Sequence, residues 1–402
     1  MFSIRTRAPG SYARTGTLNL AHGQVRTPAF VPLATKAVVK TLEVREVEAL
    51  GFDMVLGNTF HLFLTPGHEL IKKFGGLHEF QRWDKPIITD SGGFQVFSMG
   101  HGTVADEIKG RAAQFVGERS GAILGIEEAG VTFRSYLDGS TQFMGPETSM
   151  EVQASLRSDI ALVFDECTPF HADREYTARS TERTHRWLDR CIAWHAQHGP
   201  EGQTLYGIVQ GGVEEDLRRA SAQEVAARDY LGGIAIGGTL GETKDQMFTV
   251  VEWTVEELPE EKPRHLLGIG EVDDLVRGVE LGIDTFDCAM PTRIGRHGMA
   301  VVPDPEKRWR VDLAKARWRE VDEPILEGCP CPACEPGYSR AYIHYLLKAK
   351  EQTAQRILTI HNLYYLQRLM AELRDAIDEG RLPAAAAAVR AGAAPWELAT
   401  AR

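Results

Sequence analysis

The sequence predicts a parallel (β/α)8 barrel followed by a smaller zinc-binding subdomain. Short apolar runs alternate eight times with other segments, many of helical spacing; polar residues follow most of those runs; and three cysteines lie within six residues near the carboxyl end. Alternation of strands with helices is typical of a parallel sheet with helical connections. Because no Gly-x-Gly-x-x-Gly follows the first run, a doubly wound open sheet is the second choice.

The eight apolar runs have the length of buried strands and end at glycine, proline or polar residues. They are residues 29–33, 54–57, 86–89, 160–164, 205–209, 233–236, 265–269 and 285–286. Apolar residues at helical spacing predict helices over residues 214–228, 244–258 and 272–281. Polar and apolar residues alternate over 11–28, which predicts a hairpin before the barrel.

The predicted barrel occupies residues 1–299 and contains an insertion near 96–150. Within it, residues 131–136 followed by Asp138-Gly139 indicate a hairpin. The predicted zinc-binding subdomain occupies residues 300–402, with long helices over 339–377 and a peripheral Ala-rich tail over 384–394. These assignments divide the chain into a catalytic unit and a smaller appended unit.

The overall charge of −11 argues against a generally basic nucleic-acid-binding protein, but the last third of the chain differs from the rest. Residues 293–319 hold eight Lys/Arg against three Asp/Glu, and residues 340–368 hold five against one. This predicts a local basic surface for a polyanion, with a solvated charged face as the alternative. The chain shows neither an apolar run of membrane length nor a secretion signal, and its clustered cysteines fit a metal site in the reducing cytoplasm.

Polar residues and glycines follow six of the eight predicted strands. They are Asn58-Thr59, Asp90 to Gln95, Asp165-Glu166-Cys167, Gln210-Gly211-Gly212, Gly237-Gly238 and Asp287. Catalytic groups of such barrels lie at the carboxyl ends of the strands, so these residues are predicted to meet at one mouth. After Asp287, Pro291 is expected to end the strand and to begin a loop that carries Arg293 and Arg296.

The carboxylates in this set suggest substitution at a glycosidic carbon. Two aspartates on different strands can divide the reaction between nucleophilic attack and acid–base catalysis. A third aspartate, a glutamine and exposed backbone amides can bind the edge of a purine-like base, and glycines allow the backbone to approach its ring. Phe94 is a candidate for stacking on that base or for core packing. Asp165 alternatively caps a helix or forms a buried ion pair, and Asp287 alternatively lies on the surface after an edge strand.

Cys329, Cys331 and Cys334 are too closely spaced for a disulfide framework and suit tetrahedral zinc. The fourth ligand must come from elsewhere, and spacing leaves both His344 and His361 open. A site with four protein ligands would be structural and would hold together a small unit whose own core is thin.

These motifs resemble the bacterial tRNA-guanine transglycosylases over most of the chain. The matching segments are Asn58-Thr59-Phe60-His61-Leu62, Asp90 to Gln95, Gly130-Val131-Thr132-Phe133-Arg134-Ser135, Phe164-Asp165-Glu166-Cys167-Thr168, Gly207-Ile208-Val209-Gln210-Gly211-Gly212, Phe286-Asp287-Cys288, Pro291-Thr292-Arg293, the cysteine cluster, Ser339-Arg340-Ala341-Tyr342 and Ile360-His361-Asn362. The resemblance implies a (β/α)8 barrel with a zinc subdomain. It also implies exchange of guanine at the wobble position of tRNAs with GUN anticodons for 7-aminomethyl-7-deazaguanine, through a covalent intermediate, in queuosine biosynthesis.

The resemblance also implies a role for each matching residue. Asp287 would be the nucleophile, and Asp90 the general acid and base. The base site would comprise Asp165, Gln210, the Gly238 backbone, Phe94, Leu267, Ser91 and Asn58. Arg293 and Arg296 would bind tRNA phosphates. One structural zinc ion per subunit would be bound by Cys329, Cys331, Cys334 and His361, and His344 would lie with Tyr338 and Tyr342 at a homodimer interface.

The implied partners are the aspartate, asparagine, histidine and tyrosine tRNAs, guanine and the deazaguanine precursor, with no membrane and no redox or nucleotide cofactor. The sequence departs from the family pattern at Gly237-Gly238-Thr239-Leu240-Gly241-Glu242, which is one residue shorter than usual and bears on the pocket wall at Thr239. The spacing from Cys334 to Ser339 is about one residue longer than usual.

Three other interpretations of the sequence remain. A non-catalytic tRNA-binding subunit of the same fold is disfavoured by the presence of Asp90, Asp287, Gln210 and Asp165. An archaeal-type enzyme would carry additional carboxyl-terminal RNA-binding domains. A eukaryotic queuine-using subunit is disfavoured by Cys167, which is typical of the bacterial type.

Overall fold

A closed barrel of eight parallel strands forms the centre of the computed structural model, which describes residues 1–98, 122–168, 172–238 and 241–400. The described strands are β1 (Phe2–Arg7), β2 (Arg14–Leu20), β3 (Gly23–Thr27), β4 (Ala29–Ala34), β5 (Val55–Gly57), β6 (Ile87–Thr89), β7 (Ile123–Ile126), β8 (Val131–Arg134), β9 (Thr141–Met144), β10 (Ile160–Leu162), β11 (Thr204–Val209), β12 (Gly233–Ile236), β13 (Arg264–Leu266), β14 (Thr285–Cys288), β15 (Met299–Val301) and β16 (Arg310–Asp312). Barrel order is β4-β5-β6-β10-β11-β12-β13-β14, with β14 pairing back to β4. Each of the eight predicted strands is present, so the barrel prediction is confirmed.

Helices surround the barrel. In the described part of the chain they are α1 (Val44–Ala49), α2 (Thr59–Leu64), α3 (His68–Lys73), α4 (Leu77–Gln81), α5 (Gly93–Ser98), α6 (Pro146–Leu156), α7 (Arg174–His198), α8 (Glu215–Ala226), α9 (Lys244–Glu256), α10 (Val272–Glu280), α11 (Met290–Arg296), α12 (Arg340–Lys348), α13 (Gln352–Asp378) and α14 (Leu382–Arg390). The helices predicted over 214–228, 244–258 and 272–281 correspond to α8, α9 and α10.

Two local predictions were wrong. Arg293 and Arg296 lie on helix α11 and not in a loop, because Pro291 stands in the first turn of that helix. Proline's fixed φ suits a helix start, where its missing N–H has no partner to lose. The Ala-rich tail forms α14 and packs inward, with Ala385 and Ala386 fully buried. Small side chains allow a helix to approach its neighbours closely, so this composition indicated packing.

Three antiparallel sheets accompany the barrel in the described part of the chain: two have three strands each, and the third is the pair β15–β16. The predicted hairpin over 11–28 is β2–β3, and β1 extends it to three strands. The predicted hairpin in the insertion is β8–β9, which β7 likewise extends to three strands. The rest of the insertion, residues 99–121, lies outside the described residues, as does Thr239.

The amino-terminal sheet covers the end of the barrel where its strands begin. Arg14 donates to the buried carboxylate of Asp284, just before β14, with Nε–Oδ1 at 3.0 Å and Nη2–Oδ2 at 2.6 Å. His22 Nδ1 lies 2.9 Å from Asp159 Oδ1, just before β10, and His78 Nε2 lies 3.2 Å from Asp159 Oδ2. The Arg14 guanidinium and the hydrogen bonds to Asp159 compensate the burial of these two carboxylates.

The region after β14 attaches to the barrel through a long helix and an ion-pair network. Helix α13 contributes apolar side chains both to the barrel core and to the core around the cysteine cluster. Glu271, between β13 and α10, accepts from Arg310 at 2.6 Å and from Arg308 at 3.1 Å. The proposed boundary between 299 and 300 stays a prediction. No described helix combines the length and the apolar character that a bilayer crossing requires.

Candidate active site at the carboxyl ends of the strands

The barrel brings the predicted polar residues to one end. Asn58 follows β5, Asp90 follows β6, Asp165 follows β10, Gln210 follows β11, and Asp287 lies near the end of β14. Because all eight strands run parallel, their carboxyl ends form a single rim. The sequence prediction that these residues share a mouth therefore agrees with the structure.

Asp90 is held by the first turn of α2. Its Oδ1 accepts the backbone N–H of Thr59 at 2.8 Å, and its Oδ2 accepts from the side-chain amide of Asn58. Burial raises the pKa of Asp90 to about 7, against the Thr59 hydrogen bond, and repulsion from Asp287 and Asp165 adds to the rise. A carboxyl group with this pKa can both donate and accept a proton near neutral pH.

Asp287 is nearly buried, with 7% of its surface exposed. Its Oδ1 accepts the backbone N–H of Gly268 at 3.1 Å and lies 3.2 Å from Nε2 of His265. The charge of Asp287 contributes to the raised pKa of Asp90, and both carboxylates follow or end strands at the same rim of the barrel. Two carboxylates in different surroundings can take different catalytic roles. The one with the raised pKa can act as acid and base, while the other acts as nucleophile.

Asp165 is buried and bonded on both oxygens. Ser91 Oγ donates to Oδ1 at 2.7 Å, and Gln210 Nε2 donates to Oδ2 at 2.6 Å. Burial raises the pKa of Asp165 to about 6, although both hydrogen bonds lower it. The alternatives considered for Asp165, a helix cap or an ion pair, do not match these contacts.

The Gln210 amide has one polar atom without a hydrogen-bond partner among the described residues. Because an ionised carboxylate only accepts, the NH2 group must face Asp165, and Oε1 faces away. Gln210 is buried, and its Oε1 has no hydrogen-bond partner among the residues described. An unpaired buried acceptor beside a carboxylate suits a heterocycle that carries both donors and acceptors on one edge.

Two glycines allow the backbone to approach these groups. A Cβ at Gly93 would lie 2.5 Å from the carbonyl oxygen of Asp165, and one at Gly238 would lie 2.2 Å from Gln210 Oε1. Gly238 also has a φ of +82°, which side chains rarely adopt. Phe94 and Leu267 are half-buried at this rim, so each presents apolar surface. Stacking of Phe94 on a base stays a prediction.

Arg218 was not identified from the sequence. It is fully buried on α8 and donates to the carbonyl groups of Val209, Gly212 and Gly237 at 2.8–3.1 Å. Val209 ends β11, and Gly212 and Gly237 lie in the segments that follow β11 and β12, which carry Gln210 and Gly238. Arg218 therefore fixes the two segments relative to one another. A mid-helix arginine in an otherwise amphipathic pattern gives no signal of this role.

Four cations, Lys36, Lys40, Arg293 and Arg296, form a cationic rim at the mouth. Partial burial, and then repulsion from Arg296 and Lys36, lowers the pKa of Lys40. Burial, with the charges of Lys36 and Lys40, lowers the pKa of His61 to about 4. Burial, and then repulsion from Arg293, lowers the pKa of Arg296, and a bound polyanion would relieve the repulsion among these cations. Lys36 and Lys40 were not identified from the sequence.

The cysteine cluster includes His361 and not His344. The three thiols and the imidazole of His361 offer ligand atoms within 4.8 Å of one another, and all four residues are buried. Nε2 of His361 lies 2.7 Å from the carbonyl oxygen of Val301, to which it donates, so Nδ1 presents its lone pair to the sulfurs. Three thiols and one correctly oriented imidazole fit a tetrahedral metal ion. His344 instead lies 2.9 Å from the Leu313 carbonyl oxygen.

Asn362 connects the cluster to the segment after Asp287. Its Oδ1 accepts the N–H of Val301 at 2.7 Å, and its Nδ2 donates to the carbonyl groups of Pro291 at 3.0 Å and Met299 at 3.1 Å. His361 and Asn362 thus hold both backbone groups of Val301. The sequence showed His361-Asn362 as a motif, but the connection to α11 depends on tertiary contacts.

Comparisons with known proteins show which family this chain resembles. A family model described as queuine tRNA-ribosyltransferase matches residues 10–394. The queuine tRNA-ribosyltransferase of Roseiflexus sp. is 48% identical over 389 residues, which cover 94% of this chain and 96% of that protein. Those of Pelotomaculum thermopropionicum and Symbiobacterium thermophilum are each 47% identical, with 95% and 94% of this chain covered and 95% and 88% of those proteins.

Proposed function

The chain belongs to the queuine tRNA-ribosyltransferase family, and from that premise we propose how its residues carry out the reaction. It is a pentosyltransferase that carries out tRNA-guanine transglycosylation in queuosine biosynthesis. We propose that it exchanges guanine at the wobble position of tRNAs with GUN anticodons for 7-aminomethyl-7-deazaguanine. The position of Asp90 and Asp287 at one rim of the barrel, with the charge of Asp287 contributing to the raised pKa of Asp90, supports this most directly.

In the first displacement, Asp287 attacks ribose C1′ and the bond from C1′ to N9 of guanine breaks. The electron pair of that bond passes to N9, and Asp90 supplies the proton that neutralises the leaving base. The Asp90 carboxyl, with its pKa of about 7, holds that proton in a useful fraction of molecules near neutrality. The product is a ribosyl ester of Asp287.

In the second displacement, N9 of the incoming base attacks C1′ and the ester bond breaks. The electron pair returns to the Asp287 carboxylate, and the N9 proton passes to Asp90, which restores the starting state. Two successive inversions at C1′ give overall retention. Two carboxylates suffice for both steps, each in a fixed role.

Asp165 and Gln210 recognise one edge of the base. Donors of a guanine-type edge match the Asp165 carboxylate, which the Gln210 side-chain amide orients by donating to Oδ2. Gly238 lets the backbone approach this edge, while Ser91 orients Asp165 and Asn58 orients Asp90. Phe94 and Leu267 contact the faces of the ring.

The tRNA substrates are the aspartate, asparagine, histidine and tyrosine tRNAs. Arg293 and Arg296 bind phosphates near the target nucleotide, and the two other cations of the rim, Lys36 and Lys40, extend that contact. An anticodon-loop base can leave its stack at a cost of a few kcal/mol, which makes entry into the cavity feasible. Phosphate contacts position the loop and base contacts specify it.

Zinc is the metal we assign to Cys329, Cys331, Cys334 and His361, one structural ion per subunit. The ion would hold the loop of the cysteines to α13 and would supply no chemistry at the active site, because four protein ligands leave no open position. We also assign a cytoplasmic location and a homodimer. Tyr338 and Tyr342 are 39% and 42% exposed, which suits an interface, whereas His344 is buried in the subunit itself.

Exchange of radiolabelled guanine into unmodified tRNA tests the proposal. The wild type should incorporate label, and Asp287→Ala should incorporate none. Asp322→Ala, which removes an exposed carboxylate, serves as the matched control and should behave as wild type. Incorporation by Asp287→Ala at the wild-type rate would exclude Asp287 as the nucleophile.

A further inference from the structure

His265 lies beneath the carboxylate of Asp287 with none of its surface exposed. It pairs in register with Thr285, two residues before Asp287 on the same face of β14. Its Nε2 is 3.2 Å from Asp287 Oδ1, and its Nδ1 is 2.8 Å from Thr285 Oγ1. Nε2 lacks a well-aligned hydrogen-bond partner within the described part of the chain. A fully buried ring nitrogen next to a reactive carboxylate requires an explanation.

The two neighbours of the imidazole decide which nitrogen carries its proton. If Nε2 presented a lone pair, it would repel the lone pairs of Asp287 Oδ1. The Thr285 hydroxyl can donate to Nδ1, which leaves the proton on Nε2. In this tautomer the ring directs an N–H at the Asp287 carboxylate, and small movements of Asp287 during reaction can align it.

The two oxygens of Asp287 differ in their surroundings. Oδ1 accepts the Gly268 N–H at 3.1 Å and also lies next to His265. Oδ2 accepts no hydrogen bond from any residue that the structure describes. It is also not among the fully buried polar atoms that lack a partner, so it is accessible. Its lone pairs are thus the ones available for attack.

We propose that Asp287 attacks C1′ through Oδ2, and that His265 is a positioning residue that stabilises the carboxylate through Oδ1. This rests on the proposed role of Asp287 as nucleophile. The Gly268 N–H donates to the oxygen that does not bond to ribose, and the His265 Nε2–H lies 3.2 Å from the same oxygen, where it can donate as Asp287 moves. Thr285 sets the tautomer of the ring.

The donors act on the balance between ester and free carboxylate. When the Oδ2–C1′ bond forms, the carboxylate loses its charge and Oδ1 becomes an ester carbonyl, which is a weaker acceptor. When that bond breaks, its electron pair returns to the carboxylate and both hydrogen bonds strengthen. His265 therefore favours release of ribose from Asp287. Loss of one hydrogen bond to a charged group should shift the equilibrium toward the ester about tenfold.

The test measures the covalent enzyme–tRNA adduct at equilibrium with added guanine. Denaturing gels give the guanine concentration that reverses half of the adduct. His265→Leu removes the donor at similar volume, and His265→Gln keeps an N–H. We expect about a tenfold higher guanine concentration for His265→Leu, and a value near wild type for His265→Gln. Thermal unfolding of both variants checks the fold, and His265→Met replaces the leucine variant if that variant does not fold.

Each outcome decides the question. An unchanged or lower half-reversal concentration in the folded apolar variant overturns the role of His265, because a merely structural defect would weaken the adduct. Asp287→Asn separates this inference from the proposed function. An adduct that persists in Asp287→Asn excludes Asp287 as nucleophile, whereas an absent adduct there with normal guanine dependence in His265→Leu excludes only the present inference.

Discussion

Asp90 retains its proton at a pH where an exposed aspartate has lost it. Burial raises the pKa to about 7, and the charges of Asp287 and Asp165 act in the same direction. The protonated fraction therefore falls as pH rises through about 7. Departure of guanine uses the protonated form, so the first displacement should slow above that pH, while the second uses the ionised form.

We expect the rate of guanine release in a single turnover to fall about tenfold per pH unit above pH ~7. Rapid-quench measurement of guanine released from labelled tRNA between pH 6 and pH 9 provides the profile. Binding of tRNA over the same range is the control for effects on the complex. A rate that stays level to pH 9 would contradict the assignment of Asp90 as the acid.

At the scale of single residues, the sequence is informative where chemistry and position coincide. Asp90, Asp165 and Asp287 could be predicted because each follows or ends an apolar strand, and parallel strands end at one rim. His265 could not be predicted, because its role depends on the register between β13 and β14. Spacing alone left both His344 and His361 open, since both lie on helices after the cysteines, and His361 was predicted only through the family resemblance.

Contacts between helices and the segments after the strands determine where the base-binding groups lie. Arg218, from within α8, satisfies carbonyl groups of Val209, Gly212 and Gly237. The strands themselves could be predicted from their apolar runs, but a contact from a helix to two separate segments could not. Helix α11 was not predicted, because Pro291 was expected to end the strand and begin a loop. Proline also favours the first turn of a helix.

Replacing Arg218 by Met should raise the KM for guanine about tenfold and lower stability by ~2–4 kcal/mol, because buried carbonyls lose their donors. Steady-state exchange and chemical denaturation measure the two effects. Arg219→Met is the matched control. Arg219 is the next residue on α8 and pairs with Glu215, Glu256 and Glu257 near the surface, so its loss should leave KM unchanged. Equal KM values in both variants would show that Arg218 does not hold the base site.

At the scale of the whole molecule, hydrogen bonds connect the cysteine cluster to the barrel. His361 and Asn362 hold Val301, and Asn362 also holds the carbonyl group of Pro291 in α11. The order of strands, the barrel and the cysteine motif could all be predicted from the sequence. The sharing of α13 between two cores could not, because it depends on how residues distant in sequence pack.

Removal of the proposed zinc should weaken tRNA binding more than guanine binding. Treatment with a chelator, or Cys331→Ser, should expose residues 300–350 to proteolysis and reduce tRNA affinity by at least ~10-fold, since metal binding supplies folding free energy. Cys191→Ser is the control, because Cys191 is buried in the barrel away from the cluster. Metal analysis, limited proteolysis and tRNA titration give the three readouts. Intact tRNA binding by a metal-free protein would contradict this role.

The site of the covalent bond tests the central claim most directly. Enzyme and tRNA are mixed without a competing base, digested with nuclease and protease, and analysed by mass spectrometry. The account predicts a ribose-linked mass on the side chain of Asp287, and no such mass in Asp287→Asn. A ribose-linked mass on Asp90, or an adduct that survives in Asp287→Asn, would contradict it.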